Sequence, residues 1–88
     1  VGAEDEYFVQ GEVQRPGRYP MTGERTLLQA ISEAGGYTDF AKRSRVRVIR
    51  GKETKVFNCR RIMDQDDPDP LLEPGDIVMV LRSWFWKD

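Results

Sequence analysis

Leu72-Glu73-Pro74-Gly75-Asp76-Ile77-Val78-Met79-Val80-Leu81 decides the fold. Proline presets φ and glycine supplies a positive φ, so Glu73 to Asp76 reverses the chain, and the Asp76 carboxylate can accept from turn amides. The apolar run Ile77 to Leu81 follows at once. A short unbroken apolar run behind a turn fits a strand covered on both faces, so we expect it at the centre of a sheet.

The rest of that sheet has to come from earlier in the chain. Tyr7 to Val13 is rich in aromatic and β-branched residues and holds Gly11, which marks a bulge or a close backbone approach. Arg15-Pro16-Gly17 is a turn, and Arg18 to Met21 returns as a short strand that Pro20 confines to an edge. Arg45 to Ile49 alternates as a half-buried strand, Gly51-Lys52 turns, and Thr54 to Cys59 pairs back with either Val56 or the Phe57/Cys59 pair facing inward, the pair being favoured. One helix is expected over Thr26 to Ala34. Thr26 caps it, Leu27, Leu28, Ala30, Ile31 and Ala34 form its apolar stripe, and Gln29, Ser32 and Glu33 face water. Gly35-Gly36 ends it, because glycine adopts the left-handed exit at little cost. Tyr37 to Ser44 reads as a loop and Arg60 to Pro74 as an irregular acidic link anchored by Leu71 and Leu72.

Hairpin, helix, hairpin, link and late central strand describe an α+β fold of the β-grasp (ubiquitin-like roll) kind, a mixed sheet covered by one main helix. Residues 1–5 are small and acidic and read as a leader or linker, 6–83 as the domain, and 84–88 as an aromatic tail. A chain that begins at Val1 reads as a processed or excised piece. Its 88 residues suit one domain. With 39% hydrophobic and 33% charged residues the chain is globular rather than disordered. A net charge of -1 argues against a nucleic-acid binder. No apolar run nears the roughly 20 residues of a spanning helix.

Four blocks carry a family resemblance. Val9-Gln10-Gly11-Glu12-Val13 with Arg15-Pro16-Gly17-Arg18-Tyr19 resembles the opening of SLBB (soluble-ligand-binding β-grasp) domains. Thr26 to Ile31 followed by Ala34-Gly35-Gly36 resembles their helix and its exit. Val46 to Arg50 is similar to their strand ending in arginine, and Leu72 to Val80 to their closing strand. Gly11, Pro16, Gly17, Gly35, Gly36, Pro74, Gly75 and Asp76 are the motif positions, and each has a fold-making role. Among family members, the final Arg82-Ser83-Trp84-Phe85 resembles those of bacterial outer-membrane polysaccharide export proteins. The resemblance implies a periplasmic setting, partner copies arranged in a ring, and the exported polysaccharide as a candidate contact.

The chemistry-bearing residues point to binding rather than catalysis. There is no histidine, and Cys59 is the single cysteine, so a nucleophile with its base lacks members. No cofactor is implied. Asp64, Asp66, Asp67 and Asp69 invite a calcium reading, but prolines interrupt them and no glycine supplies the sharp bend, which favours a solvated loop. Basic residues crowd Lys42 to Arg61, and alternation puts Arg45 and Arg47 on one outward face. Arg43, Arg45, Arg47 and Arg50 are the candidates for contact with an anionic glycan or with an acidic neighbouring copy. A solvated sheet face is the plainer alternative. Trp84 and Trp86 are candidates for a sugar ring, a neighbouring domain or a membrane interface. A small-ligand receptor remains the alternative function. It calls for a concave pocket with convergent polar groups.

Overall fold

The computed structural model describes residues 6–83. It contains β1 (Glu6–Gly11), β2 (Gly17–Pro20), α1 (Leu27–Glu33), β3 (Ala41–Arg50), β4 (Glu53–Phe57), α2 (Cys59–Met63) and β5 (Ile77–Arg82). The strands form one sheet in the order β2-β1-β5-β3-β4, so the late apolar strand is central as expected. It runs parallel to β1 and antiparallel to β3, while both hairpins are antiparallel. The class is α+β, and the mixed five-stranded sheet is compatible with a β-grasp.

Alternation along the strands sorts their side chains into two faces. Tyr7, Val9, Val46, Val48, Val78 and Val80 point to one side and are buried. Leu27, Ala30 and Ile31 of α1 and Cys59 and Ile62 of α2 join the same cluster, so both helices lie on that side. The domain is thus two layers, sheet and helices, with the core between them.

Local chemistry sets the main boundaries. Thr26 caps α1 in a capping box: its hydroxyl accepts from the Gln29 amide, and the Gln29 side chain accepts from the Thr26 amide. Gln29, read as merely solvent-facing, therefore has a structural task. Gly36 donates to the Ile31 carbonyl and Gly35 to that of Ser32, a Schellman exit with both glycines at positive φ. A Cβ on Gly11 would lie 2.0 Å from the Val80 carbonyl oxygen, which explains glycine there.

The structure corrects several expectations. The expected loop 37–44 already contains the start of β3: Ala41 pairs with Arg82, and β3 then advances five residues to Val46 while β5 retreats two to Val80. The excess makes a bulge over Lys42 to Arg45. β1 stops at Gly11, and Val13 makes only an isolated bridge to Tyr37. The fourth strand ends at Phe57, so Cys59 faces inward from a helix rather than from a strand. That helix, α2, replaces the first part of the expected irregular link. The Asn58 side chain accepts from the Arg60 and Arg61 amides and starts it. Of the two expected anchors, Leu72 is buried and Leu71 is exposed. The central strand is not covered on both faces, because Ile77, Met79 and Leu81 are only half-buried.

Candidate functional site

The sheet face that no described helix covers carries two features that belong together. In register across it lie Phe8, Ile77 and Ile49, and in the next row Gln10, Met79, Arg47 and Val56. Phe8, Ile49, Ile77 and Met79 are half-buried, and Val56 is exposed. Arg45 and Arg47 rise beside this apolar strip, alternating with buried Val46 and Val48. Neither has an acidic partner within salt-bridge distance among the described residues. An apolar strip with unpaired arginines suits a surface that is apolar and anionic.

The other two candidate arginines have different surroundings. Arg43 lies in the bulge and stacks over the Tyr37 ring, 4.8 Å from its centroid. Arg50 lies at the end of β3 on the core side. Its Nε and Nη2 donate to the two carboxylate oxygens of Asp76 at 2.9 and 2.8 Å, and its Nη1 lies 3.2 Å from Glu73. Asp76 is fully buried and also accepts from the Glu73 amide at 2.8 Å. The hydrogen bonds to Asp76 raise the Arg50 pKa further. This fork clamps the turn before β5 to the end of β3 and occupies the guanidinium. Trp84 and Trp86 lie outside the described residues.

On the helix side, the segment 64–72 that follows α2 carries the opposite charge. Residues 64–72 are held to α1 by main-chain bonds from Leu27 to Pro70 and from Leu72 to Arg25. Asp69 accepts from the Leu28 amide, and Asp67 pairs with Arg61 at 3.0 Å. Asp64 and Asp66 are exposed without an ion pair among the described residues, and Met63 next to Asp64 in the chain is exposed too. These carboxylates serve as a cap, a tether and a solvated rim, and none is gathered into a cage.

Buried titratable groups lie in the core and not at a cleft. Burial, and then the neighbouring Cys59, push the Tyr37 hydroxyl upward. Burial likewise pushes the Cys59 thiol up, which makes it a poor nucleophile. Tyr7 donates to Glu33 at 3.1 Å; burial and that bond raise its hydroxyl to about 12.

Sequence reasoning placed Arg45 and Arg47 correctly on an outward face and missed the apolar strip beside them. The strip was legible only as alternation in Glu6–Gly11 and as the odd positions of an apolar run. The register between strands is what assembles it.

Comparison with known proteins places this geometry in a family. The model of the SLBB domain matches residues 5–80. The EPS I polysaccharide export outer membrane protein EpsA of Ralstonia solanacearum is 38% identical over 77 residues, 83% of this chain and 20% of that protein. Its counterpart in Ralstonia nicotianae (strain ATCC BAA-1114 / GMI1000) is 36% identical over 77 residues, with the same coverage. The chain thus spans about a fifth of the length of these curated relatives. With a two-layer α+β architecture and a family match over most of its length, the chain belongs to the SLBB domain family.

Proposed function

We propose that this domain is a non-catalytic, periplasmic interaction module of a polysaccharide export protein, and that it arranges copies of its parent head to tail. The observation that carries the reading is the separation of charge across the two layers. Arg45 and Arg47 flank an apolar strip on the sheet side, while exposed Asp64 and Asp66 follow exposed Met63 at the end of α2 on the helix side. Opposite charge on opposite faces favours a heterologous contact, which closes into a ring when the rotation permits. The relatives named for polysaccharide export supply the setting. Arg43, Arg45 and Arg47 would also meet carboxylates of an acidic glycan passing the assembly, with no bond made or broken.

Sedimentation velocity of this chain at low and high salt tests the contact. Association at low salt that high salt weakens, and that Arg45→Glu with Arg47→Glu abolishes, is the expected result. Monomers under every condition would remove the assembly role. Titration with uronate oligosaccharides and their neutral counterparts separates glycan contact from assembly.

A further inference from the structure

The outer edge of the sheet offers a second, independent surface. The strand order ends at β2 on one side and β4 on the other. The β2 edge is four residues long, ends in Pro20 and is braced by the Arg18–Glu6 pair. The β4 edge is five residues without proline, all exposed except half-buried Phe57. An edge of this kind, unpaired among the described residues, presents its backbone donors and acceptors to any chain that lies along it.

Beside β4 lies a groove of about 310 Å³, lined by Val48, Phe57, Pro70, Leu71 and Leu72 with Arg50 and Lys55. Its volume is at the low end for ligand sites, with room for a large side chain rather than an extended cofactor. Lys55 pairs in register with Val48 and Phe57 with Val46, so both side chains project toward the groove side. Arg50 spends its guanidinium on Asp76 and Glu73, whereas Lys55 has no ion pair among the described residues. The groove therefore offers apolar contact and one uncommitted cation at two-residue spacing, beside an open backbone edge.

We propose that β4 and this groove accept an extended peptide segment as a sixth strand, one carrying a large apolar residue two positions from an acidic residue. The apolar side chain would lie against Phe57 and Leu71, the acidic one would meet Lys55, and the main chain would pair with β4. This is strand addition: the ladder supplies affinity, and alternate side chains supply selectivity. The site is distinct from the sheet face and the acidic rim assigned to assembly, so either proposal can fail alone.

The test is an amide-resolved NMR titration of this chain with a blocked hexapeptide in which threonine alternates with leucine and glutamate. Saturable shifts at Glu53–Phe57 and at residues 70–72, with cross-strand contacts between peptide and β4, are the expected result. Lys55→Glu, at an exposed position, should weaken binding about fivefold, and a peptide with lysine in place of glutamate should recover it. Absence of saturable shifts, or shifts centred on Arg45 and Arg47, would overturn the proposal. Broadening of β4 that grows with protein concentration alone would overturn it too, because the edge would then belong to a second copy.

Discussion

Replacing Asp76 with alanine removes three hydrogen bonds at once: two from Arg50 at 2.9 and 2.8 Å and one from the Glu73 amide at 2.8 Å. Breaking a buried ion pair by deleting one partner costs about 3–5 kcal/mol when the survivor is stranded. Here the Arg50 side chain is 33% exposed and retains Glu73 and water, so about 2–3 kcal/mol is expected. Arg50→Met should cost more, about 3–4 kcal/mol, because the carboxylate it leaves behind has a side chain only 1% exposed. In the double variant neither charge remains to be stranded, so the two costs should fall short of adding, with a coupling of about 2 kcal/mol. Urea denaturation of the four proteins measures this cycle. For a domain of this size Asp76→Ala should lower the melting temperature by roughly 10–20 °C. Single variants that each cost under about 1 kcal/mol, or costs that simply add, would refute the clamp between β3 and the β5 turn.

Three other outcomes concern single residues elsewhere in the fold. Gly11→Ala combines a φ of 91° with a Cβ driven into the Val80 carbonyl, so it should destabilise by about 2–4 kcal/mol in urea. Gln65, at φ 64° in the Schellman exit of α2, is a non-glycine in the left-handed region; Gln65→Gly should raise stability by about 0.5–1 kcal/mol. Tyr7 is neutral in the fold up to about pH 12 but ionises near 10.0 when unfolded. Its folded pKa is the higher one, so its contribution is fully present below 10.0 and is lost as pH rises toward 12. That loss should be on the order of 1–2 kcal/mol after solvent screening, and smaller in Tyr7→Phe when both are unfolded in urea across the window.

What the sequence disclosed was local. The exit of α1 at Gly35-Gly36, the Thr26 cap and the Pro74-Gly75 turn are decided within a few residues, and each appears where the chain predicts it. Central placement of Ile77–Arg82 was legible because few other runs are so apolar. Coverage on both faces was not, since an apolar run does not say how many layers its partners build. The α2 helix escaped notice because its start depends on one Asn58 side chain in a stretch that reads as basic and then acidic. Arg50 resembled its neighbours in composition, yet its partner is 26 residues away and only the fold unites them. The apolar strip beside Arg47 depends on register among β1, β5, β3 and β4, which no single segment encodes.

The central claim is that the basic sheet face of one copy meets the acidic helix layer of another. Mixing an Arg45→Glu, Arg47→Glu variant with an Asp64→Asn, Asp66→Asn variant tests it most directly. Each should sediment as a monomer alone. In equal mixture the surviving acidic rim of the first should meet the surviving basic face of the second, giving a dimer that grows no further. A mixture that stays monomeric while the unmodified chain associates, or variants that still assemble alone, would contradict the account.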